Sequence, residues 1–158
     1  MINKIKCKEI ELIVYDFDGV MTDNKVLISE DGKESVFCNR SDGLAISKIK
    51  KMGLPQLIIS TEKNKIVEMR AKKLGIQVIH GIDCKKSIVK KYCKEKNINL
   101  GKVIFIGNDI NDLEVMKIVG YPIAPSDAHT SIKNEAKFLT KAKGGEGVIR
   151  ELLNKLES

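Results

Sequence analysis

Two aspartates separated by one residue, Asp16 and Asp18, stand where an unbroken apolar run ends, in the stretch ELIVYDFDGVMTD from Glu11 to Asp23. Carboxylates that close repel one another unless positive charge lies between them. The pair therefore calls for a divalent cation, and Mg2+, with its preference for hard oxygen ligands, suits it best. Taken alone, the window also fits a strand followed by an acidic turn, because Asp and Gly are ordinary turn residues.

The elements around the pair favour a ligand site. Leu12, Ile13, Val14 and Tyr15 read as a strand buried on both faces, of the kind found in the middle of a parallel sheet. Asp16 and Asp18 follow at its carboxyl end, where open α/β sheets place ligands, and Gly19 lets the backbone turn away. Downstream, segments 25–28 and 34–37 flank Asp31-Gly32, the signal of a hairpin with a two-residue turn. Ser41 is placed to cap a helix over 42–52, with Ala45, Ile49 and Met52 inward and Gly53 as its stop.

The remaining chain alternates in the same way. Strands are expected at 57–60, 76–79, 103–106, 121–124 and 138–140. Helices are expected at 63–74, 85–96 and 109–119, from Ala128, and finally through Val148, Ile149, Leu152, Leu153 and Leu156. Strands alternating with helices at this spacing predict an α/β fold in three layers, a Rossmann-like parallel sheet with helices on both faces and a small hairpin flap. With no internal repeat, low-complexity stretch or linker, residues 1–158 read as a single domain.

Asp16-Phe-Asp-Gly-Val-Met-Thr resembles the first motif of the haloacid dehalogenase (HAD) superfamily of phosphohydrolases. The resemblance implies that Asp16 attacks phosphorus to form an aspartyl-phosphate and that Asp18 serves as general acid, then base. Both roles suit carboxyl groups, since one is already ionised at neutral pH and the other can protonate a leaving oxygen. Ser60 ends its strand as the second motif does, which implies that it and Thr61 bind phosphate, although a serine after a strand is by itself more often a helix cap. Gly81-Ile-Asp-Cys-Lys85 resembles the third motif, whose lysine neutralises phosphate and the attacking carboxylate. Lys86 is adjacent, and Lys85 is assigned by its spacing from Gly81. Gly107-Asn-Asp-Ile-Asn-Asp112 resembles the fourth motif, which supplies the remaining metal ligand. The implied Mg2+ set is then the Asp16 carboxylate, the Asp18 backbone carbonyl and Asn108. Asp112 stands behind it to orient ligands and waters, and Asp109 is less well suited to direct ligation.

Only a hairpin and one helix fit between the first and second motifs, and one βα unit between the second and third, so no cap domain fits. A site without a cap stays open to water, which weakens electrostatic stabilisation of a transition state. The capless branch that the chain resembles comprises the 3-deoxy-octulosonate 8-phosphate phosphatases and their nonulosonate 9-phosphate relatives. The C-terminal domains of some acylneuraminate cytidylyltransferases are similar too. The segments from Phe37 to Gly43, Arg70 to Gly75, Ala124 to Ala128 and Gly144 to Glu151 carry this likeness. It implies a homotetramer in which one subunit's hairpin helps close the neighbour's site and a glycine-rich tail can reach into it. Arg40, Asp42, Arg70 and Gly145 are the implied contacts to substrate or to a neighbouring subunit.

Composition narrows the remaining classes. The 28 basic and 21 acidic residues give a net charge of +7. The lysines are scattered along helix exteriors and aromatics for base stacking are few, so nucleic acid is not the expected partner. A basic surface favours encounter with a small anionic substrate as well. Cysteines 7, 38, 84 and 93 show no CxxC spacing and suggest neither a zinc site nor a disulfide framework. No run reaches membrane-spanning length and the start lacks signal-peptide character, so the expected location is the cytoplasm, with no membrane partner. The reading is a Mg2+-dependent phosphatase of a phosphorylated 2-keto-3-deoxy sugar acid, a step in lipopolysaccharide or sialic acid biosynthesis. The rival is a non-catalytic HAD-like assembly module that associates with a CMP-acylneuraminate synthetase. Asn108, where the octulosonate phosphatases usually carry Asp, leans toward that rival, and the intact Asp16, Asp18, Ser60 and Lys85 lean against it.

Overall fold

A computed structural model describes residues 4–157; positions 1–3 and 158, which belong to the expected single domain and to the N-terminal segment read above, lie outside the described residues. In chain order the elements are β1 (Ile5–Lys6), β2 (Leu12–Tyr15), the hairpin strands β3 (Leu27–Ile28) and β4 (Glu34–Ser35), α1 (Arg40–Lys51), β5 (Gln56–Ile59), α2 (Ile66–Leu74) and β6 (Gln77–Ile79). There follow α3 (Lys85–Glu95), β7 (Val103–Ile106), α4 (Leu113–Met116), β8 (Tyr121–Ala124), α5 (Thr130–Glu135), β9 (Phe138–Leu139), α6 (Val148–Lys155) and β10 (Leu156–Glu157).

Six strands form one parallel sheet in the order β6-β5-β2-β7-β8-β9. All four residues of β2, β5 and β7 are buried, as strands covered on both faces require. The pleat divides them between two cores. Ile13, Tyr15, Ile58 and Ile104 pack with α1, α2 and α6 through residues such as Ile46, Val67 and Leu152. Leu12, Val14, Leu57 and Phe105 pack with α3, α4 and α5 through Val89, Val115 and Ile132. Each such side chain contributes about 1.5–3 kcal/mol by leaving water. The three-layer architecture is therefore as the sequence predicts.

Local departures have local causes. The hairpin turn is longer than the two residues expected: Ser29 N–H donates to Lys33 O at 2.9 Å and Gly32 N–H to Ser29 O at 2.8 Å, leaving Glu30-Asp31-Gly32 as a three-residue loop with Gly32 at φ +78°. The cap of α1 is Asn39, not Ser41, because the Asn39 side chain accepts the Ser41 N–H at 2.8 Å. The first turn expected for α2 is absent, because the Asn64 side chain accepts the Ile66 N–H at 3.1 Å and the helix starts there. The helix expected over 109–119 is a 3-10 turn at Ile110–Asp112 followed by the four-residue α4. Unforeseen was the parallel pair β1 with β10, which ties the two ends of the chain together.

Candidate active site

The chain passes from β2 to β5 and β6 on one side, then crosses to β7, β8 and β9 on the other, so the strand order reverses between β2 and β7. A crevice opens at the carboxyl ends of strands at such a switch point. Asp16 follows β2 there, with its N–H donating to Ile106 O at 2.9 Å, and Gly107-Asn108 follows β7. Gly19 turns the β2 loop at φ +80°, and a Cβ at that position would overlap the Asn108 side chain. Buried Thr22 fixes the same loop, its Oγ1 accepting the N–H groups of Gly19 at 3.2 Å and Asn24 at 3.1 Å.

Lys85, at the start of α3, places its ammonium 2.7 Å from Asp16 Oδ1 and 2.6 Å from Asp112 Oδ1. All three side chains are buried. Asp112 is held from behind, its Oδ2 accepting the N–H of Asn108 at 2.8 Å. Gly107 leaves room for it, since a Cβ there would stand 2.6 Å from the carboxylate. Burial, together with the Asp112 charge, pushes the Asp16 carboxyl up to about 8 against the pull of Lys85. Burial works to lower Lys85, yet the two carboxylates outweigh it and hold the ammonium above its ordinary value. With a single ammonium between two buried carboxylates, the cluster is one positive charge short of neutrality when both are ionised. Lys86 is instead paired with Glu114 at 3.1 Å on the surface, which separates the adjacent lysines plainly.

The missing charge has a place. One arm of the Asn108 amide lies 3.1 Å from Asp16 Oδ2 and 2.8 Å from the Asp18 carbonyl oxygen. Turned with its NH2 inward, the amide donates to both. Turned with Oδ1 inward, it completes a triangle of oxygens that only a cation makes tolerable. Those separations match the roughly 3 Å between adjacent oxygens around a Mg2+ ligated at about 2.1 Å. Among the described residues no three His, Cys, Asp or Glu side chains are grouped for a metal; the donor set here is one carboxylate, one backbone carbonyl and one amide. That set fits Mg2+, which takes few protein ligands and keeps several waters. Asp109 is engaged in the turn that follows, its Oδ1 accepting the Ile110 N–H at 2.7 Å and its side chain capping the 3-10 turn.

Asp16, Asp18, Ser60, Thr61, Asn108 and Asp109 all line one cavity of about 280 Å3. Buried Ser60 accepts the Glu62 N–H at 3.1 Å, a contact that does not use its own hydroxyl proton. Asp18 is half-buried, and burial followed by the Glu62 charge raises its carboxyl above the ordinary range. A carboxyl so raised is suited to hold a proton and then release it. The cavity thus gathers the Asp16 and Asp18 carboxyl groups, the Ser60 and Thr61 hydroxyls and the Asn108 amide in one space, with the Lys85 ammonium bonded to Asp16.

Four expected contacts are not brought to Asp16 within this chain. Arg40 and Arg70 line a separate groove between α1 and α2, where Arg70 Nη2 donates to Asn39 O at 3.2 Å. Asp42 is 2 % exposed, and its Oδ1 accepts the Arg150 N–H at 3.0 Å. The reason is topological: Gly147, the N-cap of α6, has no side chain, so Asp42 caps that helix from α1. Gly145 packs on its own subunit, donating to Val20 O at 3.0 Å and accepting from Asn39 Nδ2 at 3.3 Å. The glycine-rich tail therefore buttresses the loop that carries Asp18.

Some cavity residues went unread in the sequence. Asn24, Glu62, Ile110 and Asn111 also line the space, and Ile110 is 64 % exposed beside it. Only their nearness to Asp18, Ser60 and Asn108 in the chain offered a signal.

Comparison with known proteins agrees with this geometry. The haloacid dehalogenase-like hydrolase family matches residues 56–152. The 3-deoxy-D-manno-octulosonate 8-phosphate phosphatase KdsC of Escherichia coli K12 is 32% identical over 152 residues, covering 96% of this chain and 81% of the relative. A crystal structure from Streptomyces avermitilis, assigned to the HAD family of hydrolases, superposes with a TM-score of 0.95 at 43% identity, covering 97% of this chain and 88% of that one. The 3-deoxy-D-manno-octulosonate 8-phosphate phosphatase of Moraxella catarrhalis, solved with magnesium, phosphate and a KDO molecule, superposes at 0.89 with 29% identity, covering 92% and 84%.

Proposed function

We infer that this chain, which belongs to the haloacid dehalogenase-like hydrolase family, is a Mg2+-dependent phosphatase that hydrolyses the phosphate monoester of a 2-keto-3-deoxy sugar acid. One observation carries the reading: Asp16 is buried at the switch point with Oδ1 on Lys85 and Oδ2 at the oxygen triangle of Asn108 and Asp18. The octulosonate phosphatases among its relatives support the sugar-acid class. The Asp16 carboxylate, the Asp18 carbonyl and Asn108 would hold the Mg2+, which supplies charge neutralisation for the phosphoryl oxygens.

In this reading an Asp16 oxygen attacks phosphorus as the ester P–O bond breaks, and Asp18 gives its proton to the departing sugar oxygen. Ser60, Thr61 and Lys85 hold the phosphoryl oxygens. Asp18, now ionised, takes a proton from the water that attacks the aspartyl-phosphate, releasing inorganic phosphate and restoring Asp16. A phosphate-release screen over eight- and nine-carbon sugar-acid phosphates tests the reading, and one of them is expected to be preferred over neutral sugar phosphates. Absence of phosphate release from all of them would instead favour the non-catalytic module.

Asn108 makes the metal site testable. As a neutral ligand it leaves the site one negative charge short of an Asp version, so Asn108→Asp is expected to lower the Mg2+ concentration for half-maximal rate and Asn108→Ala to raise it strongly. Thermal shift against Mg2+ gives the same order without turnover. If Asn108→Ala needs no more metal than the wild type, Asn108 is not a ligand.

The active unit is a homotetramer assembled through the hairpin. Leu27 and Phe37 are 64 % and 78 % exposed there, and two strands of two residues are marginal alone. Phe37→Glu is expected to shift the species seen by light scattering to smaller forms with loss of activity. A fully active wild-type monomer would refute the assembly. The working compartment is the cytoplasm; among the described residues no helix is long and apolar enough to cross a membrane.

A further inference from the structure

The turn after β8, from Pro125 to His129, is joined to both of the loops that meet at the oxygen triangle. It leaves the sheet beside β7, whose own loop carries Asn108. The His129 N–H donates to the Asn108 carbonyl oxygen at 2.8 Å, and Ala128 is buried in the core with Val115 and Ile132. Asp127, exposed on this anchored turn, reaches the other way: its Oδ1 accepts the Gly144 N–H at 2.9 Å.

Gly144 and Gly145 in turn lie across the loop that carries Asp18. The Gly145 N–H donates to Val20 O at 3.0 Å, and a Cβ on Gly144 would overlap the Gly19 carbonyl, so bare backbone rests directly on the Gly19–Val20 peptide. Adjacent glycines permit that closeness, but they have no side chains to lock them in place and more backbone freedom than any other residue type. What fixes this strap must come from outside it. Asn39 Nδ2 reaches Gly145 O at 3.3 Å, a long bond. The shorter bond, from a backbone N–H to a carboxylate, is the one that Asp127 makes.

We propose that Asp127 is a positioning residue: by pinning Gly144 it keeps the glycine strap pressed on the loop after β2, and so holds the Asp18 carbonyl oxygen at its 2.8 Å separation from the Asn108 amide. Both oxygens of the triangle outside Asp16 are then set from one turn, Asn108 through His129 and Asp18 through Asp127. The effect on Mg2+ rests on the metal reading above; the effect on the loop rests on the strap alone.

Two measurements on the purified protein test this. Hydrogen–deuterium exchange without metal should be faster over residues 17–22 and 144–145 in Asp127→Ala, and close to wild type in Asp127→Asn, whose side-chain oxygen still accepts the Gly144 N–H. Thermal shift against Mg2+ should need about tenfold more metal in Asp127→Ala, as when a group that orients a metal ligand is lost, with most of the response restored in Asp127→Asn. Ser126→Ala is the control, because it removes the Ser126 Oγ donation to Lys141 O at 3.1 Å from the same turn and leaves Gly144 pinned; it should change neither. Wild-type exchange in Asp127→Ala overturns the proposal, and so does faster exchange with unchanged Mg2+ response. An Asp127→Asn as impaired as Asp127→Ala overturns it too, since lost charge and not the lost hold on Gly144 would be the cause. If exchange rises in Asp127→Ala alone while the wild type shows no response to Mg2+, the metal reading fails and the positioning of the loop stands.

Discussion

Asp16→Asn is expected to lower turnover by about a thousandfold or more while leaving the fold intact. An amide nitrogen and its carbonyl oxygen carry no full negative charge to attack phosphorus, and the other carboxylate on Lys85, Asp112, is already engaged with the Asn108 backbone N–H. Stability should move the other way. The Asp16 carboxyl, raised to about 8 from 3.8 mainly by burial, binds its proton more tightly folded than unfolded. Below about pH 4 both states hold that proton and the group is neutral toward folding. As pH rises toward 8 the unfolded chain releases it and the folded chain does not, so stability is progressively lost. Asp16→Asn removes that loss, and its metal-free thermal midpoint at neutral pH should match or exceed the wild type. Circular dichroism melts at pH 4 and pH 7 check the sign: a variant that melts well below the wild type at pH 7 would show that the Lys85 pair outweighs the burial cost.

Lys85→Ala is the second large effect, and it falls on both activity and stability. The ammonium stands 2.6 and 2.7 Å from two buried carboxylates, and its own side chain is 1% exposed. Removing it leaves the buried carboxyl pair without its counter-charge, a loss of about 3–5 kcal/mol by analogy with other buried pairs broken on one side. In a domain of this size that is a fall in thermal midpoint on the order of 10 °C. Mg2+ should restore part of the loss by neutralising Asp16, without restoring rate, because the phosphoryl oxygens still lack the lysine. Lys86→Ala is the control, since that side chain reaches only Glu114 on the surface. Equal effects of the two substitutions would remove Lys85 from the site.

The parts of this molecule that were legible in the sequence are those whose signal is local. A run such as Leu12 to Tyr15, followed at once by Asp16, carries both its burial and its strand end within a few residues, and the same holds for Val103 to Ile106 before Gly107-Asn108. The lysine assignment was harder, because only spacing distinguished Lys85 from Lys86, and it took the packing of α3 to bury one and expose the other. What escaped notice depends on contacts between distant segments. Asp42 carries no mark that it caps a helix 108 residues away. Gly145 reads equally well as a tail for a neighbour and as a buttress for the loop at Val20. The hairpin turn was misjudged by one residue because Asp-Gly serves two-residue and three-residue loops alike, and the pairing of Ser29 with Lys33 decides between them. The hold of Asp127 on Gly144 was invisible for the same reason, since it exists only once the two meet across 17 positions.

The claim on which everything else depends is that Asp16 becomes phosphorylated during turnover. Acid quenching during steady-state hydrolysis of the preferred phosphate ester, followed by mass spectrometry of the tryptic peptides, reads it directly. The peptide that spans residues 9–25 holds both Asp16 and Asp18, and fragmentation assigns the added phosphoryl group between them. The group is expected on Asp16, absent in Asp16→Asn and accumulating in Asp18→Asn, where the base for the second step is missing. A phosphoryl group on Asp18, or on neither aspartate while phosphate is still released, would contradict it.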